Sequence, residues 1–222
     1  MNKLITLLAL TIATLSFSVA NAGFNLGVAG SLANIDAKGI ESDKDGAADG
    51  SMRTATAGNS VMVGSIFAEY SFDNGITVGF DHIPGTADVN RQDLTRTEDS
   101  SEANQDGNVT ANAEIENHNT YYLELPIHAG LYVKAGITSM DVISNDTDSV
   151  TLRGAYANTQ VDGELLGVGY KGTFGSNGFY KLEGTMRSYD TINLTSTTTD
   201  LGNQLSADID ANLMTLAVGY AF

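Results

Sequence analysis

The feature that most constrains this chain is a period-two pattern whose polarity is turned inside out. In the last eleven residues, Met214, Leu216, Val218, Tyr220 and Phe222 fall on one face. Leu213, Thr215, Ala217, Gly219 and Ala221 fall on the other. Strict alternation over such a stretch is the signature of a strand. Seven further segments read the same way: 24–35, 61–72, 76–83, 119–127, 131–140, 165–174 and 179–189. Within them the charges share one face: Glu69, Asp81, Glu124, Lys134, Lys171, Lys181, Glu183 and Arg187. The opposite face carries the bulky apolar residues. A soluble barrel encloses its large apolar side chains, whereas a barrel that encloses charges and shows apolar groups outward is built for lipid.

The connections alternate as well. Asp73-Asn-Gly75, His128-Ala-Gly130 and Gly175-Ser-Asn-Gly178 have the chemistry of tight hairpin turns. Long polar segments, 36–58, 85–117, 141–160 and 190–210, lie between them. This order predicts an all-β fold, an eight-stranded antiparallel up-and-down transmembrane β-barrel with its tight turns at one end and its long loops at the other. The strands reach or approach the roughly 9–11 residues that a tilted strand needs to cross a bilayer. A further hairpin within 85–117 would raise the number to ten. Val109, Ala111, Ala113 and Ile115 keep the phase of Tyr121 and Leu123, and Ile192 and Leu194 keep that of Leu182 and Met186. Strands are therefore expected to continue past the bilayer as a protruding ribbon, whose edge could pair with a partner.

The chain opens Met-Asn-Lys, runs through apolar Leu4 to Leu15, and reaches the small-residue site Val19-Ala-Asn-Ala22. This is the pattern of a secretory signal peptide, with cleavage expected between Ala22 and Gly23 and a barrel over 23–222. The absence of cysteine suits an exported chain that passes through a thiol-oxidising compartment.

The export signal, the eight strands and the terminal aromatic together resemble the small outer-membrane barrels of the OmpA-transmembrane, OmpX and opacity-protein type. Tyr122-Leu-Glu-Leu-Pro-Ile127, followed by Leu131-Tyr-Val-Lys-Ala-Gly136, looks like the central hairpin of that superfamily. Tyr220-Ala-Phe222 resembles the terminal signal that the outer-membrane assembly machinery recognises. The resemblance implies an integral protein of a Gram-negative outer membrane, with lipid and that machinery as partners. It implies a barrel alone, without the periplasmic domain of OmpA-like proteins, and it names no activity.

Charge narrows the function classes. Acids number 27 and Lys plus Arg 11, for a net −16. Nucleic-acid binding is excluded, because neutralising phosphates needs clustered bases. The four long segments hold 20 of the acids and 6 of the bases, so an acidic outer surface is expected, with an extracellular protein or surface ligand as its candidate partner. Asp43-Lys-Asp45-Gly46 lacks the acidic spacing and closing Glu of a calcium loop. The eight inward charges are four acids and four bases, and balanced charge in a narrow lumen predicts mutual pairing and a plug. If Ile127 faces Leu131, Glu124 faces Lys134. If Phe174 faces Tyr180, Lys171 faces Glu183. The three histidines, His82, His118 and His128, lie apart along the chain with no nucleophile at a catalytic spacing. No catalytic, cofactor or metal site is expected. The sequence thus points to a barrel with a structural or surface-interaction role. A narrow porin is the alternative, and a barrel enzyme the third reading.

Overall fold

The computed structural model describes residues 23–42, 52–96, 107–144, 147–148, 156–197 and 204–222. The proposed signal peptide with Ala22, and the Asp43–Gly46 segment, lie outside the described residues. Eleven strands form one sheet: β1 (Gly23–Ser42), β2 (Met52–Ser71), β3 (Thr77–Ile83), β4 (Ala87–Arg96), β5 (Gly107–His128), β6 (Leu131–Ser144), β7 (Thr147–Asp148), β8 (Thr159–Phe174), β9 (Gly178–Tyr189), β10 (Ile192–Thr195) and β11 (Gln204–Ala221). Eight of them close a ring in the order β1, β2, β3, β5, β6, β8, β9, β11, and β11 pairs antiparallel with β1. The other three prolong the wall at the loop end: β4 and β7 pair with β5, and β10 pairs with β11. Among the described residues, segment 85–117 therefore adds height to the barrel and no further membrane strands.

Closure follows from the residues at the ends. Asp73-Asn-Gly75 turns with Gly75 at φ 81°, and Phe72 donates its N–H to the carbonyl of Ile76. Ala129 and Gly130 both sit at positive φ, 49° and 85°, the type I′ signature that matches strand twist. At the chain terminus Phe222 donates its N–H to the carbonyl of Phe24, and Asn177 donates its side-chain amide to the carbonyl of Ala221.

The two faces sort as the alternation predicts. Leu26, Val28 and Leu32 of β1, Leu182 and Met186 of β9, and Met214, Leu216, Val218 and Tyr220 of β11 with the following Phe222 all point out and are exposed. On β11 this belt runs nine residues, about 20–25 Å of height for a tilted strand, which matches the hydrocarbon core. Aromatic rings gather at its turn end: Phe24 against Phe222, Tyr70 against Phe72, and Tyr170 against Tyr180. Tyr220 and Phe222, the proposed assembly signal, belong to this lipid-facing girdle.

Above the belt the polarity reverses. On β11, Met214 points out and is 75% exposed, while Asn212, Asp210 and Asp208 continue the same face into water. The inward face changes as well. Leu213, Ala211 and Ile209 are buried, and Ile209 packs with Met140, Val161 and Ile192. β11 is thus a membrane strand below and a soluble-barrel strand above. The expected ribbon is corrected on this point. Ile115 and Ile192 do not keep the outward phase of the strands they prolong. A bulge between Glu116 and Asn119, with Asn117 at φ 50°, turns Ile115 inward, and the break at Asp190 and Thr191 does the same for Ile192. Register shifts of this kind exchange the faces of everything beyond them.

The reversal predicts where a charge is tolerated. Val218→Arg, at the middle of the belt, should lower stability by about 2–4 kcal/mol in urea unfolding from lipid vesicles, whereas Asn212→Arg should change it by about 1 kcal/mol or less. Equal penalties at the two positions would mean that the boundary is misplaced.

Candidate functional site

All eight sequence-predicted charges point into the lumen, and the structure divides them. Six form one network, three acids with three bases. Lys181 of β9 is its centre and is 1% exposed. Its ammonium donates to Glu124 Oε1 at 2.6 Å and to Glu69 Oε1, and it lies 3.9 Å from Glu183. Lys134 donates to Glu183 Oε2 at 2.9 Å and stands 3.8 Å from Glu124. Lys171 stands 3.8 Å from Glu69 Oε2. Charges buried this deeply are tolerable only when each has an opposite partner and further hydrogen bonds. Here the balance is three against three.

The register explains the pairings. Glu124 does face Lys134 across β5 and β6, as expected. Ile127 drops out as the extra residue of a bulge at the turn, so that His128 faces Leu131. The second expected register is corrected. Phe174 faces Gly178, two residues short of Tyr180, and this sets Lys171 opposite Lys181 and Glu183 opposite Gly169. Lys171 therefore reaches across to Glu69 of β2, and Glu183 takes Lys134 of β6.

Two tyrosines complete the network, and sequence reasoning passed over both. Tyr122 donates its hydroxyl to Glu69 Oε1 at 2.7 Å, and Tyr132 donates to Glu183 Oε1 at 2.6 Å. Each ring lies over a glycine on the neighbouring strand. Tyr122 pairs with Gly79 and Tyr132 with Gly169. A Cβ at either glycine would come within 2.4 Å of the ring at Gly79 and 2.3 Å at Gly169. The readable signal was an inward aromatic facing an inward glycine. Beside the network, Phe67 and Phe179 pack with their centroids 6.2 Å apart and form a buried cluster with Ala217. At the turn end Asn25 donates to Ser71, whose hydroxyl pairs with that of Thr77.

Asp81 and Arg187 stand apart from the network. Asp81 accepts the Ser65 hydroxyl at 2.7 Å. Arg187, one step below the upper apolar interior, donates from Nη1 to His118 Nε2 at 3.0 Å. Only a ring lone pair can accept that bond, so His118 is a neutral imidazole. The Tyr189 hydroxyl and the Thr138 hydroxyl lie 2.8 and 2.9 Å from the same nitrogen. His82 faces outward beside Asn119, 2.9 Å away, and His128 is exposed in its turn. The three histidines are not brought together.

No protein-family model matches the chain, and no curated protein matches it by sequence. Solved structures do. The outer membrane protein OprG from Pseudomonas aeruginosa is 14% identical at a TM-score of 0.54, covering 94% of this chain and 99% of that one. The outer membrane protease OmpT from Escherichia coli is 10% identical at 0.49, covering 95% and 99%. The outer membrane protein AlkL is 17% identical at 0.46, covering 93% and 95%. At these identities the likeness to OprG is one of fold. Together with the lipid-facing belt and the ring of eight, it describes an integral β-barrel of the outer-membrane kind.

Proposed function

We propose that this barrel is a non-conducting, non-enzymatic outer-membrane protein whose work is done on its outer side, through contacts of its acidic extension and loops. One observation carries this reading: an ionic layer on β2, β5, β6, β8 and β9 in which each of six charges has an opposite charge within 4 Å, centred on the buried Lys181. An aqueous path needs unpaired, hydrated charges or a wider ring. Here six of the eight lumen charges are spent on one another, and Phe67 and Phe179 pack beside them. The outer side is different. Asp36, Asp208 and Asp210 point outward around Lys38 and Thr56 on β1, β2 and β11, and the long segments carry most of the chain's acids. Such a surface favours an extracellular partner with basic groups and speeds its approach by electrostatic steering. The histidines speak against hydrolysis, because the buried His118 has its Nε2 lone pair taken by Arg187, with no carboxylate orienting the ring.

Refolded protein whose gel mobility shifts on boiling should give no current steps in a planar bilayer. Reproducible steps from wild-type protein would overturn the plug. Lys181→Met leaves Glu69 and Glu124 facing each other without their shared cation. It should cost about 3–5 kcal/mol in urea unfolding, the usual penalty for breaking a buried pair. Glu124→Ala should destabilise in the same direction, because Lys181 and Lys134 both lose a carboxylate. An unchanged unfolding midpoint in both variants would remove the network from the fold's foundations.

A further inference from the structure

The wall of the barrel has a seam. β2 pairs with β3 from Ser71 up to Ile66, opposite His82, and then continues to Met52 with β1 as its partner. After β3 the chain passes through Pro84, Gly85 and Thr86, and β4 pairs with β5. β4 runs close beside β2, but no register joins the two among the described residues. The cause is local. Pro84 has no N–H to offer a ladder, and Gly85 at φ 92° takes a backbone conformation that other residues rarely adopt. Beside the gap β2 presents Gly64, which has no side chain to close it.

A cavity of about 190 Å³ opens behind this seam. Its inner walls are apolar, with Ala33, Val61, Val63, Met140, Ala211 and Leu213 among them. Its mouth is formed by Met62, Gly64 and the 84–87 segment. Met62 points outward, is 85% exposed, and sits level with Leu32 in the top ring of the belt. The mouth thus faces the outer edge of the lipid layer and not the aqueous lumen. Arg187, His118 and Tyr189 supply the polar part of the lining. Arg187 is 8% exposed, and its Nε is buried without a hydrogen-bond partner. The ion pairs among the described residues gather at Lys134, Lys171 and Lys181, and none includes Arg187. Asp81 and Arg187 both line a small polar cavity next to it, but they form no ion pair. A buried guanidinium whose partners are a neutral ring and the Tyr189 phenol lacks the anion that would offset its desolvation.

We propose that this cavity binds a single-chain amphiphile with a carboxylate head, taken up sideways from the outer leaflet. The head meets Arg187, and the first part of the chain lies against Ala33, Val61 and Leu213. The remainder leaves through the seam beside Met62 and Gly64. Size sets the limit of one chain: a cavity of about 150 Å³ holds one benzene ring, so this one takes a short length of one acyl chain and not two. The site lies above the ionic layer, so it stands whether or not the lumen conducts.

The test uses the full barrel refolded into phosphatidylcholine vesicles with stearic acid spin-labelled near its carboxyl group. Wild-type protein should show a saturable, motionally restricted signal at one probe per barrel. Excess unlabelled stearate should displace it, and stearyl alcohol should not. Arg187→Gln should weaken binding by about tenfold or more, the weight of one charge-assisted hydrogen bond. Gly64→Trp keeps Arg187 and fills the mouth; Gly64 is exposed, and a Cβ there meets nothing closer than 3.8 Å. That variant should also lose the restricted signal while its gel mobility still shifts on boiling. The proposal fails if wild type shows no saturable component, or if Gly64→Trp binds as wild type does. Displacement by stearyl alcohol as effective as by stearate would remove the role of the carboxylate. Displacement by phosphatidylglycerol as effective as by stearate would remove the single-chain assignment.

Discussion

The rest of the structure depends on a single constraint: the middle of a bilayer offers no water to a backbone N–H or C=O. Every peptide group at that depth needs a partner from the protein itself, and a sheet can supply one only by closing on itself. The seam of β11 against β1 therefore sets the diameter. A ring of eight leaves room for side chains and little else, and this makes the lumen a place where charges have to meet. The ionic layer is a consequence of ring size as much as of the residues in it. The lapse in pairing between β2 and β4 lies at the top of the apolar belt, where the chain is leaving the hydrocarbon.

The membrane half of this architecture was legible in the sequence, and the reason is physical. Lipid outside and a narrow lumen inside impose opposite demands on neighbouring residues. The alternation of Met214 to Phe222 against Thr215 to Ala221 is therefore a direct trace of the fold. The same logic put all eight charges on the inward face. It could not fix their partners. A register is set by the turn, and Phe174 meeting Gly178 in place of Tyr180 sends Lys171 to a different strand from the one its spacing implied. The loop half was less legible. There the alternation persists while its meaning inverts, because water replaces lipid outside and apolar packing replaces charge inside. A single extra residue at Asn117 is enough to move Ile115 from one face to the other.

Arg187 shows where a residue-by-residue reading loses information. By parity it is one more inward charge, equivalent to Lys181. By height it is the last charge before the apolar interior, beside a neutral histidine and a tyrosine. Its chemistry is set by that boundary and by the opening next to it, and both arise from long-range pairing. The tyrosines of the network behave in the same way. Tyr122 and Tyr132 read as bulky inward residues, and they become hydrogen-bond donors because Gly79 and Gly169 let their rings lie flat across the neighbouring strand.

The height of the extension bears on how the outer face is sensed. β1 continues for nine residues from Asn34, beyond the last lipid-facing side chain, to Ser42, a rise of about 20 Å for a tilted strand. Screening in physiological salt acts over about 8 Å, and the headgroups take up about 5–7 Å of the rise, so the strand ends stand more than one screening length beyond the lipid charges. The potential that an approaching molecule meets there is written by the protein's own carboxylates and is insulated from the charge of the lipids below. A change in lipid headgroup charge would therefore move the potential at that height only weakly.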